Sequence, residues 1–132
     1  MFDYSAVTTS LTEGMGITKE NYIYVALYIS FMNSFLEEFF FRGFGFILMK
    51  KYTTTIFAYI LSPVLFAFYH VGMTFSMFEP LLLLLVMIGL VAGGLIFNYL
   101  NDKNENLYSS WFTHMFANFA MHTVGFILFS AV

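Results

Sequence analysis

The sequence predicts an all-α, polytopic transmembrane helix bundle of about four spans, and three observations carry that expectation. Charge is scarce: Asp, Glu, Lys and Arg make up 10% of the 132 residues, against about 25% in soluble domains. Apolar residues make up 60% of the chain, 22% is aromatic, and mean hydropathy is +0.79. These residues fall into four long stretches, near 22–49, 53–70, 80–100 and 108–131. Each is close to or above the ~20 residues that a helix needs to cross hydrocarbon. No stretch sustains strand alternation, and an open sheet would leave its backbone unsatisfied in lipid.

Taken in chain order, residues 1–18 have no basic segment ahead of an apolar core, so they read as a short extramembrane arm and not as a cleaved signal. Residues 19–132 then form one domain. Thr18 is placed to cap the first helix, with Glu20 in its first turn. That helix is long enough, at ~1.5 Å per residue, to require tilt. KKYTTT, from Lys50, ends it. The second stretch contains Pro63, which predicts a kink or a loosened turn. GMTFSMFEP, from Gly72, leads into the third stretch, where Gly89, Gly93 and Gly94 include a GxxxG spacing that favours close helix approach. Gly93 is therefore expected to matter more for packing than Gly125, which belongs to no such pattern. NDKNEN, from Asn101, separates the last two stretches. Short links make neighbouring helices antiparallel, and Lys50 with Lys51 favours a cytoplasmic first link. The Asn101 link falls on the same side.

Cysteine is absent, which excludes disulfides and thiolate metal sites. The net charge of -3 is spread over the links and gives no support to nucleic-acid binding or a polybasic lipid switch.

Charges inside the apolar stretches are the departures that need a reason. FLEEFFFRGFG, residues 35–45, holds Glu37, Glu38 and Arg42. On a helix Glu38 and Arg42 are i,i+4 partners, while Glu37 lies about 100° around, one turn after Asn33. A buried ion pair that only fixes packing accounts for Glu38 with Arg42. It leaves Glu37, whose insertion costs at least ~2.5 to 3.5 kcal/mol unpaired, as a carboxylate kept for chemistry. FAFYH places His70 four residues after Phe66, and HMFAN places His114 and Asn118 at i,i+4. Singly, such groups serve as interhelical glue worth ~1 kcal/mol, and His122 is assigned that role. Counted from the Lys50 link, Glu37 and His70 reach similar depths. His114, about 10 Å from the Asn101 link, falls short unless the last helix starts late or the helices tilt.

Three motifs stand in order on separate apolar stretches: Glu-Glu-x-x-x-Arg at 37–42, Phe-x-x-x-His at 66–70 and His-x-x-x-Asn at 114–118. Together they resemble the CAAX prenyl protease and bacteriocin-processing family of intramembrane endopeptidases, also called CPBP or Abi, from about residue 30 to the C-terminus. The resemblance implies that Glu37 is the general base activating water, that His70 helps hold that water, and that Glu38 and Arg42 support the base. It assigns His114 and Asn118 to oxyanion stabilisation, roles consistent with what hydrolysis needs. The implied substrate is a membrane-associated peptide or protein, processed in CAAX or bacteriocin fashion, the other partner is the lipid bilayer, and the Lys-poor, Phe-rich composition points to a bacterial cell membrane.

No cofactor is expected, because Asn118 is a poor zinc ligand and no His-Glu-x-x-His helix is present. If a metal such as zinc binds, Glu37, His70 and His114 are the ligand set. Family members usually carry further helices ahead of the Glu-Glu helix, so the chain is expected to be a minimal or truncated member. Two other readings compete: a catalytically silent binding or immunity protein on the same bundle, and a proton or ion pathway. A pathway would spread polar groups along a whole crossing.

Overall fold

The computed structural model describes residues 9–14, 16–75 and 78–131. Part of the N-terminal arm, residues 1–8 and 15, lies outside the described residues. Among the described residues the chain is helical with no strand. A single wide turn, Ser10–Gly14, precedes four long helices: α1 (residues 22–52), α2 (Thr55–Thr74), α3 (Pro80–Asn104) and α4 (Tyr108–Ala131). Two of them, α2 and α3, are long and apolar enough to cross a membrane, with mean hydropathies of 1.7 and 2.6.

The helix ends follow local chemistry, with one departure from expectation. Thr18 does not cap α1; Asn21 directly precedes it, and its side chain turns back to accept the Thr18 N–H at 2.8 Å and donate to Gly16 O at 2.9 Å. Thr54 caps α2 by accepting the Phe57 N–H. Pro80 opens α3 at a position whose N–H would have no helical partner. Glu105, at φ 53°, ends α3 in the left-handed region.

Burial is inverted relative to a water-soluble fold. The largest fully buried side chains are Arg42, Glu38, Asn98, Asn101, Ser30, Ser34, Ser62 and Ser110, joined by only two apolar ones, Phe46 and Pro63. Large apolar side chains such as Ile56, Ile60, Leu84, Leu85 and Ile88 face outward. That is the arrangement a lipid solvent demands, since hydrocarbon leaves polar groups to satisfy one another inside the bundle.

Helix α1 is continuous, but Ile29–Asn33 and Phe39–Leu48 are wound more widely, with the Ser34 N–H reaching Ile29 O and the Met49 N–H reaching Phe44 O. Wide turns of this kind are rare and concentrate at functional sites. Neighbouring helices dock side-chain donors onto carbonyls in these stretches. Phe31 O accepts from Trp111 Nε1 at 3.2 Å, Ile29 O from Asn118 Nδ2 at 3.5 Å, and Phe41 O from Ser62 Oγ at 2.7 Å. Pro63 raises a related problem, because it has no N–H for the carbonyl of Tyr59 one turn back. Helix α2 nevertheless runs unbroken across it, and Asn98 of α3 donates to Tyr59 O at 3.4 Å while accepting from Ser62 at 3.1 Å.

The close approach of α3 is made at a different glycine from the one expected. Gly89 and Gly93 have nothing within 4 Å of a would-be Cβ, whereas a Cβ on Gly94 would lie 2.7 Å from Pro63 Cβ and 3.1 Å from Arg42 Nη2. Gly125 is also packed, against the Tyr22 hydroxyl, so the expected ranking of Gly93 above Gly125 is reversed. The GxxxG spacing identifies a small face, but the neighbour meets its other edge. His122 does act as glue: Tyr22 donates to its carbonyl at 3.1 Å and lies 3.4 Å from its Nδ1.

The Lys50 and Asn101 links meet at one end of the bundle. Lys50 pairs with Asp102, whose second oxygen accepts from Tyr59 at 3.0 Å.

Candidate active site

Five of the six candidate residues form one buried cluster drawn from α1, α2 and α4. Asn33 and Glu37 share a face of α1, and Asn33 Nδ2 donates to Glu37 Oε1 at 2.6 Å. That bond leaves Glu37 Oε2 to face the other helices. It lies 3.5 Å from His114 Nε2 and 3.9 Å from His70 Nε2. His70 is oriented by its own helix: Nδ1 donates to Phe66 O at 2.8 Å, which turns Nε2 towards Glu37.

Glu38 has two partners where the sequence offered one. Its Oε1 lies 3.2 Å from Arg42 Nη1, the expected i,i+4 pair, and also accepts from His114 Nδ1 at 2.9 Å. The Arg42 contact is an ion pair without an aligned hydrogen bond, because no guanidinium nitrogen has a bonding partner among the described residues. Aromatic faces supply the remainder of its environment. The guanidinium carbon sits 4.3 Å from the Phe66 ring centre and 4.9 Å from that of Phe97, contacts worth ~2 kcal/mol when desolvated. Phe97 also stacks on the His114 ring at 5.3 Å. Arg42 is fully buried, and Gly94 leaves the space for it.

Asn118 stands apart from the cluster. One turn beyond His114, it is half-buried and donates to Ile29 O.

The depth mismatch for His114 is resolved by where α4 begins. A Cβ at Gly43 would lie 3.6 Å from Leu107 Cδ1, so the last link enters the bundle level with Gly43 and not with Lys50. From that level Glu37 is six residues away along α1 and His114 seven along α4, about 9 and 10 Å. The late start of the last helix brings the two groups together.

A cavity of about 660 Å³ runs from this cluster along the groove between α1 and α2. Asn33 and Glu37 form its polar end; Phe40, Phe41, Phe44, Leu65 and Tyr69 wall it, and Met49 and Tyr52 lie at its far end. Phe40 and Phe44 are 60% and 51% exposed, so the groove opens sideways.

Sequence reasoning missed several contributors. Phe97 and Asn98 carry no local motif, and their roles arise from contacts with residues on other helices, Arg42 and His114 for Phe97 and Ser62 for Asn98. Asn33 was visible one turn before Glu37, although its bond was not. No group of three His, Cys, Asp or Glu side chains is arranged to hold a metal ion among the described residues.

A family model described as Type II CAAX prenyl endopeptidase Rce1-like matches residues 19–120. No curated protein and no solved structure matches the chain. The family match extends over most of the chain, from the turn before α1 to beyond the His-x-x-x-Asn motif of α4, and the chain belongs to the Rce1-like family of type II CAAX prenyl endopeptidases.

Proposed function

We propose that the chain is an intramembrane endopeptidase that hydrolyses a peptide bond in a membrane-associated protein or peptide, with Glu37 activating the attacking water. Family membership supports CAAX-type processing. The observation that carries the mechanism is the convergence of two histidines, from different helices, on Glu37 Oε2. Glu37 Oε2 and His70 Nε2 lie 3.9 Å apart, a separation that one water can bridge. A water between them donates one hydrogen to Glu37 Oε2 and is held on its other side by His70 Nε2, which fixes its orientation.

The proton bookkeeping closes on Glu37. The carboxylate takes the proton of the water as its oxygen bonds to the carbonyl carbon. The carbonyl π electrons move to oxygen, giving a tetrahedral oxyanion. Collapse re-forms the carbonyl and breaks the C–N bond, and Glu37 returns the proton to the leaving amine. His114, held through Nδ1 by Glu38, presents Nε2 to the oxyanion, and Asn118, one turn further along α4, supplies an N–H donor. Glu38 and Arg42 position His114. The dry walls of Phe66 and Phe97 strengthen these electrostatics. Four crossings, α1 to α4, make up the core at residues 19–132, with the Lys50 end cytoplasmic.

We propose that the site works without a metal, with His114 followed one turn later by Asn118, a poor zinc ligand and a good hydrogen-bond donor. No step is routed through one. Cleavage is expected to survive exhaustive chelation. Stoichiometric zinc lost together with activity would reverse that expectation.

Cleavage of a farnesylated CAAX peptide in proteoliposomes tests the reading. Glu37→Gln keeps the shape and removes the base, so the rate should fall by about 10² to 10⁴ while the bundle stays folded. Wild-type cleavage by folded Glu37→Gln would sink the assignment.

A further inference from the structure

We propose a second binding site, distinct from the Glu37 cluster, for the zwitterionic headgroup of an aminophospholipid: a phosphodiester joined to a primary ammonium. A cavity of about 440 Å³ lies at the Lys50 end of the bundle, between the last turn of α1 and the end of α3. It sits where both links leave the apolar zone, which is headgroup depth for a protein crossing the bilayer.

The charges lining the cavity are unevenly spent. Lys50 and Asp102 neutralise each other, and Tyr59 takes the second oxygen of Asp102. Lys51 and Glu105 also line the cavity, both exposed at its rim, and neither has an ion pair or hydrogen bond among the described residues. One free cation and one free anion therefore face the same space.

Asn101 provides the independent sign of a ligand. It is 1% exposed and lines the cavity, yet neither its Nδ2 nor its Oδ1 has a partner. A buried amide with all its bonds unmade calls for a missing partner. This one offers a donor and an acceptor side by side: Nδ2–H for a phosphate oxygen, Oδ1 for an ammonium hydrogen. The C-terminal ends of α1 and α3 meet here, and the negative poles of both helix dipoles add to the attraction for a cation.

The chemistry selects among lipids. A phosphoethanolamine headgroup matches Lys51 with its phosphate and Glu105 with its ammonium, and leaves the net charge of the cavity unchanged. A choline headgroup has the same charges, but its quaternary nitrogen has no hydrogen to give to Oδ1 or to Glu105. A glycerol headgroup has the phosphate alone and leaves Glu105 unpartnered beside an anion.

The test is the apparent melting temperature of the purified full chain in detergent, with added dioleoyl phosphatidylethanolamine, phosphatidylcholine or phosphatidylglycerol, or with soluble glycerophosphoethanolamine. Near saturation, phosphatidylethanolamine should raise the midpoint by about 4 °C or more beyond the other two lipids. Lys51→Gln and Glu105→Gln, at exposed rim positions, should each abolish that advantage, and Lys103→Gln, outside the cavity, should keep it. An equal shift from soluble glycerophosphoethanolamine would identify the free headgroup as sufficient; a shift from the lipid alone would identify the membrane as its source. Equal stabilisation by the ethanolamine and choline lipids would overturn the proposal. So would a larger effect from phosphatidylglycerol, or an ethanolamine preference that survives in both rim variants. The readout involves no cleavage, so its outcome is independent of the peptidase assignment.

Discussion

At the scale of single residues, the two adjacent glutamates differ through what each of their oxygens faces. Glu37 has one oxygen held by Asn33 and the other turned to two histidines. Glu38 gives one oxygen to both Arg42 and His114. Glu38→Gln removes the charge that Arg42 is buried against, and breaking a buried pair costs about 3 to 5 kcal/mol. Thermal unfolding in detergent should therefore show Glu38→Gln strongly destabilised and Glu37→Gln nearly unchanged. The opposite order would mean that the roles are exchanged. The Glu38–Arg42 pair was legible because it is an i,i+4 spacing on one helix. The Glu38–His114 bond was not, because it joins residues 76 positions apart and depends on the level at which the last link enters the bundle. The direction of the His70 ring was hidden as well, because it is set by the backbone carbonyl of Phe66, which no side-chain pattern encodes.

At the scale of elements, the junction of α2 with α3 rests on Gly94. A methyl group there would press on Pro63 and on the Arg42 guanidinium, and overpacking of this kind costs about 1 to 3 kcal/mol. Gly94→Ala should lower the melting temperature, while Gly93→Ala, which meets open space, should be neutral or slightly stabilising through helix propensity. Equal loss in both variants would show that the junction does not depend on this approach. The four apolar runs located the helices to within about a turn, since length and hydropathy are local properties. The winding of α1 was hidden, because a wide turn is selected by donors on other helices, such as Trp111 and Ser62. The same holds for which edge of a glycine-rich face meets its neighbour.

At the scale of the whole molecule, polar groups turned inward and apolar groups turned outward make the bilayer part of the fold, as membership of a membrane-integral protease family requires. Composition alone made that legible, because no soluble core leaves so few charges at its surface. The sideways opening of the α1–α2 groove was not legible, since it is a space between elements and not a property of either. On the proposed peptidase reading, exposed Phe40 and Phe44 at that opening put the substrate entrance within the plane of the membrane. Encounter then becomes a search in two dimensions, and the concentration that matters is the number of substrate molecules per lipid. Diluting a proteoliposome with inert phospholipid at fixed bulk substrate should slow cleavage in proportion to the added lipid. Adding buffer, which leaves the surface density untouched, should not change the turnover of each enzyme molecule.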